Sequence, residues 1–239
     1  DKPYRNILAL HSEVARDVTD KIKINLTQEE VQNLAGGSSV DPKAYDAYQR
    51  GVHLWKESTP ESIRNSREYF EEAVRLDPRF APAHAWLSTV YLDLGTWVIP
   101  PSDRAGRQDA IAKGRLSAKK ALELDNSSSD AHGNLAAYFR DVDWNIEAAE
   151  KEFKEAIRLN PSDPQAHHGY SYTLALLGKN DDALANARRT EELDPLYWGR
   201  SDNTTWMLIY AGRYDEALSQ ARKTLEMDGA SMGAWMTMG

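Results

Sequence analysis

The sequence predicts an all-α protein assembled from one repeated helical hairpin, and three observations carry that prediction. Helix-ending pairs recur along the chain: Asp77-Pro78, Asp125-Asn126, Asn160-Pro161, Asp194-Pro195 and Asp228-Gly229, at spacings of 48, 35, 34 and 34 residues. The stretch 163–195 maps onto the next by a shift of 34, with Gly178 on Gly212, Ala183 on Ala217, Leu184 on Leu218 and Ala187 on Ala221. Within that stretch Ala166, Tyr170, Leu174 and Leu177 fall at helical spacing, as one apolar stripe requires. A hairpin this small cannot hide its own stripe. It needs copies of itself beside it.

Taken in order, the chain opens with Ile7, Leu10, Val14, Val18 and Ile22 at steps of three or four, an amphipathic helix over 7–24. Thr27 and Glu30 form a capping box for a short second helix, and Gly36-Gly37-Ser38-Ser39 is a linker. Residues 1–40 are read as an N-terminal helical cap or linker, and 41–239 as the repeat domain. Asp41-Pro42 caps the first helix of that domain, and Thr59-Pro60 caps the second. The repeats run over about 44–78, 81–126, 129–161, 163–195 and 198–229, with a partial sixth at 230–239. Asp163 with Pro164 opens the reference hairpin, Gly178 breaks it, and Asp181 restarts a helix. Two repeats are irregular: the first holds three extra residues between its helices and the second holds 14, around Thr96 to Gln108. The apolar start of the longer insertion, Trp97-Val98-Ile99, favours packing over a free loop.

A helix-turn-helix period near 34 resembles the tetratricopeptide repeat, over residues 44–239. The match holds by position. Gly51, Leu54, Phe70 and Ala73 stand in the first repeat; Leu87, Ser88, Tyr91, Gly95 and Ala121 in the second. The third carries Leu135, Ala136, Phe139, Ala149, Phe153 and Ala156, and the fifth Leu208, Gly212, Ala217 and Ala221. Small residues are needed where the two helices cross closely. Thr190 and Thr224 depart from the family's alanine, and Asn126 and Gly229 from its proline. The resemblance implies a right-handed α-α superhelix, a solenoid of about five repeats plus a half.

A second resemblance lies in Asn6 to Ala15, Leu26-Thr27, Ala44-Tyr45 to Gly51 and Asp143-Trp144 to Phe153. It is similar to bacterial regulators in which a winged-helix, nucleotide cyclase or kinase domain precedes such repeats. The chain begins at Asp1 and stops inside a repeat, so it is expected to be part of something longer. The compartment stays open: cytoplasmic, or extracytoplasmic for a membrane-anchored parent.

Composition narrows the function classes. A formal net charge of −8 over 239 residues argues against nucleic acid, which needs a basic stripe. With no cysteine there is no disulfide, thiol nucleophile or cysteine-zinc site. No apolar run approaches the roughly 20 residues of a membrane span. No catalytic residue, cofactor or metal is expected. His84, His132 and His167 look like a metal cluster until each is placed at the same first-helix position, four residues before Ser88, Ala136 and Ser171. Residues one helix pair apart cannot share a ligation sphere near 2 Å, so these histidines are read as packing against the second helix of their own repeats.

Function is expected on a surface. In the resembled family, first-helix residues facing away from the second helix line a concave groove that binds protein or peptide. Mapped here they are Tyr45, Tyr48, Val52 and Trp55, then Thr89, then Arg140, His168, Tyr172, Trp206 and Ile209. Each has the alternative of packing on a neighbouring repeat. The family's clamp for C-terminal carboxylates needs lysine and asparagine where Tyr48 and Val52 stand, so it is not expected. The resulting expectation is a non-enzymatic binding scaffold; its rival is a structural spacer or self-association module, with a homodimer through the C-terminal end.

Overall fold

The computed structural model describes residues 40–195, 198–227 and 232–238. The expected helix over 7–24, the Thr27–Glu30 capping box and the 36–39 linker lie outside those residues. Among the described residues the fold is all-α, as predicted. The helices are α1 (Pro42–Lys56), α2 (Pro60–Leu76), α3 (Ala81–Asp93), α4 (Arg104–Leu124), α5 (Ser129–Asp141) and α6 (Ile146–Leu159). They continue as α7 (Pro164–Leu176), α8 (Asn180–Leu193), α9 (Trp198–Tyr210), α10 (Tyr214–Met227) and α11 (Met232–Met238), with a π-helical turn at Leu94–Val98. The chain divides into two compact units between Ala83 and His84.

Local chemistry sets the helix starts. The Asp41 carboxylate accepts from the Lys43 and Ala44 N–H groups, with Pro42 in the first turn. Thr59 and Ser62 exchange side-chain and backbone hydrogen bonds in a capping box, again with proline following. Asp163 repeats the Asp41 arrangement on Gln165 and Ala166. Each such cap is worth about 1 kcal/mol. The start of α8 differs from expectation. Lys179 occupies the cap position without a side-chain bond, and Asp181 and Asp182 lie inside the first turn. Their charges favour the positive end of the helix dipole from there.

The helix ends explain the period. At Asp77, Asp125 and Asn160 the backbone N–H closes the preceding helix on Ala73, Ala121 and Ala156. Each side chain then accepts from the N–H two residues on, at Arg79, Ser127 and Ser162, within 2.9–3.1 Å. A short aspartate or asparagine thus ends one hairpin and turns the chain into the next. Proline suits the following site because its fixed φ fits that turn. Within hairpins, Gly178 and Gly212 take φ of +73° and +71°, while Lys179 and Arg213 donate to the Leu174 and Leu208 carbonyls. That left-handed closure favours glycine. In the third hairpin Trp144 takes it at φ +52° and is mostly exposed.

The first unit has its own core. Ala44, Ala47, Ala73, Phe80 and Ala83 are buried together, and Phe70 fills the space above Gly51, where a Cβ would stand 2.8 Å from its ring. In the second unit α5 packs on α6, α7 on α8 and α9 on α10, and first helices also meet, α5 on α7 and α7 on α9. Alanines 121, 156, 187 and 221 of the second helices are wholly buried at these crossings. Phe153 is buried beneath Gly169, whose Cβ would collide with its ring. Thr190 and Thr224 are also wholly buried, and their hydroxyls donate to the Asn186 and Gln220 carbonyls one turn back. That bond is why a hydroxyl survives in the alanine position.

The long insertion packs down. It forms the π-helical turn and the early turns of α4; Val98 is buried, whereas Trp97 is half exposed with its indole N–H on Asp93. Arg107 reaches back from α4 to donate to the Gly95 and Thr96 carbonyls, both at 2.7 Å. Arg115 grips Asp143 with two bonds of 2.8 Å, tying α4 to the turn after α5, and holds that carboxyl below its usual pKa.

Gly114 on α4 is a point of close approach in the second unit. The buried Tyr138 hydroxyl fits against it and donates to the Ser88 carbonyl at 3.0 Å. Gly114→Ala should push that hydroxyl off its acceptor and destabilise by roughly 2 kcal/mol. The check is a urea unfolding midpoint, with Tyr138→Phe as a partner that removes only the hydroxyl's share of the clash, since the Tyr91 Cβ stays at 2.7 Å.

Candidate functional site

Successive first helices of the second unit present one aligned face. Steps of four place His168, Tyr172 and Leu176 along α7, and Asp202, Trp206 and Tyr210 along α9. A shift of 34 brings Tyr172 onto Trp206. Both rings lean on the same core, formed by Leu174, Ala183, Leu184, Ala187, Met207, Leu208 and Ala217. Each is half buried. The His168 and Tyr172 rings meet edge to face at 5.3 Å, and Trp206 lies 6.4 Å from Tyr210. Burial pushes the Tyr172 phenol up to about 12; Tyr210 and Asp202 push the same way, and Arg140 opposes them.

Arg140, on α5, spans the gap to α7. Its guanidinium donates to the Gly169 carbonyl at 2.8 Å and grips Asp141 with two bonds of 2.6 and 2.8 Å. The same group lies 5.6 Å from the centre of the Phe153 ring and 5.9 Å from that of Tyr172. Three of its five N–H donors are therefore taken within the chain. Arg140 works here as the strut that seats Tyr172.

The structure thus joins Arg140, His168 and Tyr172 in contact, with Trp206 on their shared core. Tyr45, Tyr48 and Trp55 belong to the first unit. There Tyr48 packs against Phe70 and Phe80 at 6.0 and 5.2 Å, Tyr45 touches both Tyr48 and Phe80, and Trp55 is half buried. These tyrosines are built into the first hairpin's own aromatic packing.

Polar side chains hold the first helices in register; Thr89 was expected among the groove residues, whereas Asn134 and Asn203 were passed over. The Ser171 hydroxyl and the Asn203 carboxamide bond at 3.1 Å, both wholly buried, between α7 and α9. Between α3 and α5, Thr89 donates to Asn134 at 2.8 Å and Asn134 to the Ala85 carbonyl at 2.7 Å. The signal was available: an asparagine on the apolar face of a helix needs a designated partner.

His132 and His167 occupy matched positions with matched partners. One ring nitrogen of His132 meets Glu152 at 2.7 Å and the other the Asn126 carbonyl at 3.2 Å. For His167 the partners are Asn186 at 2.8 Å and the Pro161 carbonyl at 3.1 Å. Each ring bridges its own second helix and the loop six residues upstream. Among the described residues no group of histidines and carboxylates could hold a metal ion, and no helix is long and apolar enough to cross a membrane.

Residues 145–197 match the family model of the tetratricopeptide repeat. The chain is similar to a putative adenylate cyclase of Rhizobium meliloti, 27% identical over 138 residues, 57% of this chain and 22% of that protein. It is also similar to the transcriptional regulator HilA of Salmonella typhimurium, 25% identical over 163 residues, 68% of this chain and 28% of that one. The chain spans about a quarter of the length of these curated relatives. In fold it is similar to a crystal structure of a thermophilic TPR protein of Thermus thermophilus, TM-score 0.60 at 22% identity, covering 81% of this chain and 95% of that one. PilF of Pseudomonas aeruginosa aligns with TM-score 0.56 at 15% identity, covering 84% and 83%.

Arg140→Ala should strip a donor from the Gly169 carbonyl and the counter-charge from Asp141, and so destabilise by about 2 kcal/mol. Arg140→Lys should not restore the loss, because an ammonium cannot grip Asp141 with two parallel bonds. Denaturant midpoints of the two variants check this.

Proposed function

We propose that this chain, a set of tetratricopeptide repeats, is a non-enzymatic module that binds a protein or peptide along α5, α7 and α9. The observation that carries the reading is the pair Tyr172 and Trp206, aromatics set at one position of successive helices, seated on a common core and only partly buried. Such rings offer a partner large contact area at little cost in side-chain entropy, which is why they anchor interfaces. The parent is read as a larger bacterial signalling or transcriptional regulator. The likeness to a putative cyclase and to a transcriptional regulator supports that context, as does the share of their length that this chain spans. The chemistry or DNA binding of such a parent would lie outside these residues.

A second reading has its own observation. On α11, Trp235 and Met236 are 58% and 67% exposed, an apolar end that suits self-association. A chain that sediments as a monomer at high concentration overturns this second reading.

For the first reading, the double variant Tyr172→Ala, Trp206→Ala should lose capture of every peptide that the parent chain selects from a displayed library. Its far-UV circular dichroism should stay nearly unchanged. Undiminished capture by the double variant overturns the reading.

A further inference from the structure

We infer that this face receives a cationic side chain, the arginine or lysine of a basic peptide, over the ring of Trp206. The inference rests on the reading of α5, α7 and α9 as a binding surface and names the chemistry of what binds there. The chain itself holds one example of the arrangement. Arg140 lies over Tyr172, reaching from one first helix to the aromatic ring of the next. One repeat further on, the aromatic ring returns as Trp206, but the position of Arg140 is taken by Ala175, on the same core. Alanine retains nothing of the guanidinium. The guanidinium that the chain itself supplies to Tyr172 has no counterpart at Ala175, and a ligand's cation would take that role at Trp206.

The surroundings suit a cation. Trp206 has Tyr210 beside it at 6.4 Å, and tryptophan gives the strongest attraction of a ring face for a cation. Asp202 lies one turn before Trp206 on α9, at the first turn of α11, and its charge is felt at the Tyr172 hydroxyl. The chain as a whole carries a formal net charge of −8, which draws a basic segment toward it before docking.

The test is fluorescence anisotropy of labelled hexa-arginine, with labelled hexa-glutamate beside it, on the whole chain and three variants. Hexa-arginine should bind and hexa-glutamate should not. Trp206→Ala should weaken hexa-arginine by about tenfold although the net charge is unchanged. Ala175→Arg fills the place with the chain's own cation and should weaken binding by at least about tenfold, whereas Ala175→Glu should tighten it. Misfolding at position 175 would weaken both variants, so opposite signs cannot arise from it. Equal binding by Trp206→Ala and the parent chain means diffuse attraction to an acidic protein and overturns the inference; so does no binding of hexa-arginine. Should the peptide library yield acidic or apolar ligands that still need Trp206, the cationic inference fails while the binding face stands. Should no ligand from either experiment respond to Trp206→Ala, the binding face itself falls.

Discussion

A pair of helices of some thirty residues cannot cover its own apolar stripe, and the second unit is organised by that deficit. The deficit puts wholly buried small side chains at Ala121, Ala156, Ala187 and Ala221, and at Thr190 and Thr224, because a small side chain lets the next helix come close enough to seal the stripe. It also places the bulky side chains: Phe153 lies over a glycine of the following hairpin, and Tyr138 against Gly114 of the preceding one. Close packing is unspecific about register, since alanine against alanine slides. The buried polar contacts remove that freedom. Ser171 with Asn203, and Asn134 with Thr89 and the Ala85 carbonyl, are satisfied in one alignment only. Hydrophobic burial supplies the drive to stack, and these contacts select the position.

The same layer supports the outer face. Tyr172 and Trp206 are held from below by the core and from the side by neighbouring rings and, for Tyr172, by Arg140. Little ordering is left for them to undergo when a partner arrives, so burial on binding is offset by less entropy than a loop would lose.

Much of this architecture was legible because it is written in local chemistry. Asp77, Asp125 and Asn160 end helices through bonds to their own neighbours two and four residues away, so their spacing announces the hairpins. Gly178 and Gly212 are legible for the same reason, as the residues that accept a left-handed turn. What depends on another helix was not legible. Trp144 takes the conformation that glycine takes elsewhere, in a turn fastened by Arg115 from α4. Arg140, an arginine on a helix flank, reads as an available charge until the Gly169 carbonyl and Asp141 come within its reach. The packing around the first unit's tyrosines was hidden for a similar reason. Tyr48 meets Phe70 and Phe80, whose approach no first-helix pattern could show.

The aspartate and asparagine pivots between hairpins have a consequence for how such a chain can change over generations. Each pivot satisfies its own backbone and draws nothing from the hairpins on either side except their ends. A duplication or loss that runs from pivot to pivot therefore leaves every helix end capped and changes only the number of units. A cut inside a hairpin would instead orphan a helix terminus and bare a stripe. Inheritance should then tolerate whole units arriving or leaving, and the surface carried by the first helices would lengthen or shorten in steps of one aromatic position at a time.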